Sequence, residues 1–219
     1  MNKLLLLLLS LGCLATGAHA KLNVVASLPD FASLAEEIGG DKVKVTSLAK
    51  GTEDPHFVDA KPSFIRVLNQ ADVLLEGGAE LESGWLPPLV QNARNPRILP
   101  GAPGHVVLAR GLKLLDVPAK LDRSQGDVHA AGNPHFNLDP ANFAPMAATL
   151  AEAFTRLDAA NAPHYAASLR RFTDQLAARR AEWDKLAAPL RGVKVVTYHK
   201  SFDYLAARFG FDIVGQIER

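Results

Sequence analysis

Residues 22–48 read LNVVASLPDFASLAEEIGGDKVKVTSL, a strand, a helix and a second strand in succession. Residues 22–28 are mostly apolar and β-branched and are followed by proline, which is typical of a strand buried in a parallel sheet. Apolar residues at helical spacing follow over residues 31–38, and Gly39-Gly40 ends that helix. Residues 43–48 have the composition of another strand, so the segment predicts a β-α-β unit.

The same alternation continues on the C-terminal side of this unit. A helix is predicted from Pro62, and a third strand over residues 72–78. Strands alternating with helices predict an α/β fold with a parallel sheet. The Pro- and Gly-rich segment 87–132 is predicted to be mostly loop, with short strands at residues 98–99 and 106–108.

Helices dominate the chain after residue 138. Asp139-Pro140 predicts a helix start, because aspartate caps and proline suits the first helical position. That helix is expected to run to about residue 157. A longer helix over about residues 162–186, a strand over 193–199, a helix over 201–209 and a last strand over 211–216 complete the expected order.

Four segments follow from this order of elements. They are a leader (1–20), a first α/β lobe (21–138), a helical segment with one long interlobe helix (139–191) and the start of a second α/β lobe (192–219). A sheet of one or two strands is marginal by itself. We therefore expect two small parallel-sheet lobes bridged by a long helix, with the second lobe incomplete through C-terminal truncation.

The leader has the features of a secretory signal peptide. MNKLLLLLLSLGCLATGAHA contains an early Lys3, an apolar run and small residues at Ala18 and Ala20, which predicts cleavage before Lys21. In the alternative, Cys13 would carry a lipid, but Ser10 stands where the lipid-attachment signal has leucine. We expect an exported protein in the periplasm.

Composition excludes several classes of function. The 24 basic and 23 acidic residues give a net charge of +1, which argues against a nucleic-acid partner or a polybasic membrane anchor. The one cysteine of the chain falls in the leader. The mature chain therefore has no disulfide, no thiolate zinc site and no cysteine nucleophile, so a metal site there must use His, Asp or Glu.

Three histidines occupy turns beside strand ends or helix starts. His56 stands in GTEDPHFVDAKPS, His135 in GNPHFNLDP, and His199 at the end of the predicted strand VKVVTYH. Ligand sites of open parallel sheets lie at such strand ends, and neutral imidazoles bind zinc well. Each histidine could equally be an ordinary turn residue, because spacing alone does not show that the three meet.

The segments DPHFVDAKPS, GNPHFNLDP and VVTYHKSFDYLAARFGF resemble the three ligand-bearing motifs of the zinc/manganese ABC-transporter substrate-binding proteins, the cluster A-I family. The resemblance covers essentially the whole mature chain. It implies two α/β lobes joined by a long rigid helix, with the metal in the cleft between them. It also implies that His56 and His135 are ligands from the first lobe and His199 a ligand from the second.

The family's fourth ligand is an Asp or Glu from a later loop, and this chain ends at Arg219 before such a loop. The site would then have three neutral ligands and a weakened affinity. Glu218 is expected to lie away from the cleft. Because relatives with an acid at the position of His199 carry manganese, His199 favours Zn²⁺, with Mn²⁺ as the alternative.

Other polar residues near these motifs have two interpretations each. His129, in a short remnant of the family's His-rich loop, is an accessory metal ligand or a plain loop histidine. Asp139 is a helix cap or an acid that orients a ligand. Glu53 and Asp54 are metal contacts or solvated loop acids, and His105 and His164 are expected to be structural.

The leading function is an exported solute-binding protein, not an enzyme, that captures a divalent ion and delivers it to a membrane ABC permease. The complete protein is expected to be a monomer. The alternative is a zinc hydrolase in which three histidines leave a position open for water, although no HExxH motif is present. An adhesin-like surface protein is a third class, and the weak context of Cys13 for lipid attachment argues against it.

Overall fold

The computed structural model describes residues 20–120 and 129–218, so the leader prediction falls almost wholly outside the described residues. The helices and strands are β1 (Leu22–Ala26), α1 (Pro29–Gly39), β2 (Val43–Ser47), α2 (Pro62–Asn69), β3 (Val73–Glu76), α3 (Leu86–Ala93), β4 (His105–Val107), α4 (Phe143–Leu157), α5 (Ala162–Leu186), β5 (Lys194–Thr197), α6 (Asp203–Phe209) and β6 (Asp212–Gln216). The predicted α/β class with parallel strands is confirmed.

The first sheet has four parallel strands in the order β2-β1-β3-β4. Its central strands are buried over most of their length, and Val24 and Leu74 are fully buried. The chain moves from β1 to β2 on one side and then crosses to β3 on the other. Right-handed crossovers therefore place α1 and α2 on opposite faces of the sheet. The reversal between β1 and β3 makes a crevice at their carboxyl ends, where ligands of such sheets bind.

Helix α1 packs against α4 and α5, and α2 packs against α3. The backbone leaves α1 at Gly40, whose φ of 54° is in the left-handed region that glycine tolerates. The adjacent Gly39 carbonyl accepts a hydrogen bond of 3.0 Å from Nε2 of His164, so that histidine is structural, as expected.

Residues 87–132 are mostly loop as predicted, over the described part of that segment, but the segment opens inside α3, a helix that was not predicted. Pro87 and Pro88 lie in the first turn of that helix, where a missing N–H costs nothing because it would have no helical partner. The strand expected at residues 98–99 is also absent, since Pro96–Ile98 is a 3₁₀ turn with Ile98 fully buried. The other short strand is confirmed as β4, shifted by one residue.

Asp139 caps its turn as predicted, because its Oδ1 accepts a hydrogen bond of 2.9 Å from the backbone N–H of Ala141. The capped turn is a 3₁₀ helix over Pro140–Asn142, and α4 follows it directly. The predicted long helix is α5, with 25 residues.

The second sheet consists of β5 and β6, parallel to each other and connected through α6. Tyr204 on α6 is 3% exposed and donates a hydrogen bond of 2.7 Å to the carbonyl of Asn133. Arg208 on the same helix donates two hydrogen bonds to the carboxylate of Asp139, at 2.7 and 2.9 Å. These contacts fix α6, and with it the end of β5, against the loop that carries His135.

Over the described residues, no helix combines the length and apolar character needed to cross a bilayer.

Candidate metal centre

His56 lies in the turn that follows β2, and three contacts fix this turn. The backbone N–H of His56 donates to Oδ1 of Asp54 at 2.9 Å, and the backbone N–H of Lys50 donates to Oε2 of Glu53 at 2.7 Å. The indole N–H of the buried Trp85 donates to the carbonyl of Pro55 at 2.9 Å. Both acids are therefore used in building the turn.

His135 is buried, in the loop just before the 3₁₀ turn over Phe136–Leu138. Its backbone N–H donates to Oδ1 of Asn133 at 3.0 Å. The next residue, Phe136, is fully buried and its ring stacks on that of Phe31 at 6.3 Å between centroids. The packing of Phe136 and the hydrogen bond between the backbone of His135 and Asn133 together set the direction of the His135 imidazole.

His199 follows β5 at the carboxyl end of the second sheet. Its Nδ1 donates a hydrogen bond of 2.8 Å to Oε2 of Glu218, because an ionised carboxylate can only accept. The expectation that Glu218 lies away from the cleft is therefore wrong. The pairing of β6 with β5 continues past the strand ends and carries Glu218 to the side of His199.

The three predicted histidines converge. Nε2 of His135 is 3.2 Å from Nε2 of His56 and 3.1 Å from Nε2 of His199, and one ligand atom from each residue lies within 4.8 Å of the others. Zn–N bonds of about 2.0–2.1 Å in a tetrahedron imply ligand nitrogens about 3.3 Å apart. Two of the separations match this value, so the geometry suits a tetrahedral divalent ion.

His129 lies beside this cluster. Its ring stacks on that of His56 at 5.1 Å between centroids and 16° between planes, and its Nδ1 is 3.5 Å from Oε2 of Glu80. His105, in contrast, pairs with Glu76 at 3.2 Å and is part of β4, which confirms a structural role.

A cleft of about 680 Å³ opens beside the cluster and is lined by residues of both sheets' loops, including Glu53, Asp54, His135, His199 and Phe202. A hydrated ion can therefore approach the imidazoles from solvent.

Asn133 is a site residue that sequence reasoning missed. Its Oδ1 caps the backbone of His135, while its side-chain amide donates to the carbonyl of Lys200 at 2.9 Å and to Oδ2 of Asp203 at 3.2 Å. It therefore connects the loop of His135 to the turn after His199. The sequence signal is an Asn two residues before the backbone donor it caps, a pattern typical of Asx turns.

Two carboxyl groups with raised pKa values, those of the half-buried Asp203 and the buried Glu82, were also missed. Burial and the neighbouring carboxyl of Asp116 raise the pKa of Asp203 to about 6. Burial raises the pKa of Glu82 to about 7, and the side chain lies where β1 and β3 end, accepting hydrogen bonds from Ser27 and Gly77. Neither group has a sequence pattern that marks it as buried.

Known proteins resemble this chain over most of its length. The ZnuA protein of Paracoccus denitrificans, a high-affinity zinc uptake system protein, is 27% identical over 242 aligned positions, gaps included, and the match covers 95% of this chain and 70% of that protein. ScbA of Streptococcus cristatus, a metal ABC transporter substrate-binding lipoprotein, is 26% identical over 195 residues. The match to ScbA covers 87% of this chain and spans only 60% of the length of ScbA.

Solved structures agree with the sequence relatives. A crystal structure of ZnuA has a TM-score of 0.73 with 26% identity, covering 90% of this chain and 69% of that chain. A ZnuA deletion mutant with zinc bound has a TM-score of 0.74 with 27% identity, covering 91% and 72%. The hydrolase alternative has no counterpart among these relatives. The family model for ZnuA, the periplasmic component A of the zinc-uptake complex, matches residues 24–218, and the chain therefore belongs to this family.

Proposed function

We propose that this protein captures Zn²⁺ outside the cytoplasm through His56, His135 and His199 and delivers it to a membrane ABC permease. The observation that carries the proposal is the spacing of the Nε2 atoms, 3.1 and 3.2 Å, which matches that of ligands on tetrahedral zinc. The P. denitrificans relative is named as a high-affinity zinc uptake system protein, which supports the same cargo.

Zinc is preferred over manganese in this proposal because the three converging groups are imidazoles. Manganese favours carboxylate and other hard oxygen ligands, while imidazole nitrogen suits zinc. Relatives named for manganese also match the chain, among them PsaA of Streptococcus pneumoniae at 24% identity. The cargo therefore needs a direct test with both ions.

The proposed mechanism is capture by coordination, with no bond chemistry. A first lobe (residues 21–138) supplies His56 and His135, a second (residues 192–219) supplies His199, and the helical segment 139–191 connects them. The ion exchanges its water for imidazoles as it enters the cleft, and docking on the permease separates the ligand loops and releases it. His129, stacked on His56, is proposed as an accessory ligand during entry.

Delivery to a permease requires export, which we assign to the leader, with cleavage before Lys21 and a periplasmic monomer as the product. The relatives are named as periplasmic or lipoprotein components, in agreement with an extracytoplasmic site of action. A hydrolase is not proposed, because Glu53 and Asp54 accept hydrogen bonds within their own turn.

Calorimetric titration of zinc into the protein of residues 21–219 tests this function. We expect one site in the wild type, no site in a His56→Ala/His135→Ala/His199→Ala variant, and an unchanged site in the control His164→Ala. Competition with Mn²⁺ should leave zinc bound. Zinc binding that survives the triple substitution, or no binding by the folded wild type, would contradict the proposal.

A further inference from the structure

The two ring nitrogens of His199 have different partners. Nε2 faces the cluster, 3.1 Å from Nε2 of His135, and Nδ1 faces Oε2 of Glu218 at 2.8 Å. These nitrogens lie on opposite sides of the imidazole. The carboxylate is therefore placed to contact the ring and not an ion bound at Nε2.

Backbone pairing brings the two residues together. The N–H of Ile217 donates to the carbonyl of Thr197 at 3.0 Å, and the N–H of Glu218 donates to that of Tyr198 at 2.8 Å. The paired backbone thus continues beyond both strands. Thr197 is aligned with Gln216. His199 and Glu218 each lie two residues further along their own strand, so the same register aligns them with each other.

We propose that Glu218 is a positioning residue for the metal site: its carboxylate fixes His199 in the tautomer that carries its proton on Nδ1 and offers the lone pair of Nε2 to the ion. This inference rests on the proposed function. An acceptor on the outer nitrogen of a metal-binding histidine fixes the tautomer and ring orientation, and its loss typically costs 10–100-fold in metal affinity. The carboxylate also places a negative charge near three neutral ligands.

The size of the effect follows from the exposure of the pair. The side chain of Glu218 is 41% exposed and that of His199 is 20% exposed. Water competes for a hydrogen bond at this exposure and screens the charge. We therefore expect Glu218→Ala to weaken zinc binding about tenfold, the lower end of that range.

Three variants separate orientation from charge. Glu218→Gln keeps an oxygen that accepts a hydrogen bond from Nδ1 and should retain most of the zinc affinity. Glu218→Ala removes this acceptor and should lower the zinc affinity about tenfold. Asp212→Asn removes a negative charge at the opposite end of β6 and serves as the matched control, with no expected change. Calorimetry with zinc alone gives these affinities, each with the stoichiometry of one site.

The tautomer of His199 gives a readout that does not depend on zinc. In long-range ¹H–¹⁵N spectra of the metal-free protein at alkaline pH, His199 should carry its proton on Nδ1 in the wild type and in Glu218→Gln. In Glu218→Ala the proton should shift toward Nε2. Wild-type affinity in Glu218→Ala, a Glu218→Gln variant as weak as Glu218→Ala, or an Nε2–H tautomer in the wild type would each overturn the inference. A wild type that shows the expected tautomer but binds no zinc would instead overturn the proposed function.

Discussion

The most demanding test of the fold concerns the buried carboxyl group of Glu82. This residue is 3% exposed and lies at the carboxyl ends of β1 and β3. Its two oxygens accept hydrogen bonds from Oγ of Ser27 at 2.6 Å and from the backbone N–H groups of Gly77 and Gly78 at 2.7 and 3.2 Å. Burial opposes ionisation, while these three donors favour it.

Burial is the larger effect and raises the pKa of Glu82 from 4.5 to about 7. A carboxyl group whose pKa is higher in the folded state favours folding in its neutral form. Its contribution to stability is therefore complete below pH 4.5 and is lost as the pH rises through 7. At 1.36 kcal/mol for each pKa unit, the loss amounts to about 3 kcal/mol of the free energy of unfolding.

Urea denaturation of the wild type and Glu82→Gln between pH 4.5 and 8, with a chelator present, measures this loss. Glutamine does not titrate, so the stability of the wild type minus that of the variant should fall by about 3 kcal/mol across the range. All other titratable groups are common to both proteins, so their contributions cancel in the difference. A difference that stays constant would show that the three donors offset burial, and one that rises with pH would show that they outweigh it. Either result would refute the reasoning.

Two other substitutions give independent checks. Asp203→Asn removes a carboxyl group whose pKa is raised to about 6 by burial and by Asp116. In urea denaturation, the variant should therefore gain stability relative to the wild type as the pH rises from about 4 to about 7.5. Equal pH dependence of the two proteins would contradict this expectation. Phe154→Ala empties a fully buried position on α4 and should cost about 3–5 kcal/mol in the free energy of unfolding, whereas a cost below about 1 kcal/mol would mean that the core around α4 is not packed as described.

Sequence periodicity predicted most of the elements correctly, and the reason is local. β1 and β3 are buried over most of their length, so their residues are mostly apolar, and α1 begins at a proline and ends at glycine. Such signals act within a few residues. α3 was not predicted because proline breaks a helix when it lies in the helix interior, and Pro87-Pro88 therefore indicates a loop from the sequence alone. Both prolines lie in the first turn of α3, where proline is tolerated.

The histidines of the candidate site required a different kind of inference. No spacing rule brings His56, His135 and His199 together, since they are separated by 79 and 64 residues along the chain. The resemblance of their flanking motifs to a known family supplied the grouping, and the structure then supplied the distances. Asn133, which connects two of their loops, was missed because its role depends on where Lys200 and Asp203 lie after folding.

Glu218 shows why strand register lies beyond prediction from the sequence. β5 and β6 pair Val195 with Ile213 but Val196 with Gly215, so one residue of β6 is bulged out of the pairing. Without this bulge, His199 would align with the preceding residue, Ile217, and the alternation of side chains would point the carboxylate of Glu218 away. A single extra residue in one strand therefore places the acid beside the histidine. The sequence shows both residues but not the bulge that aligns them.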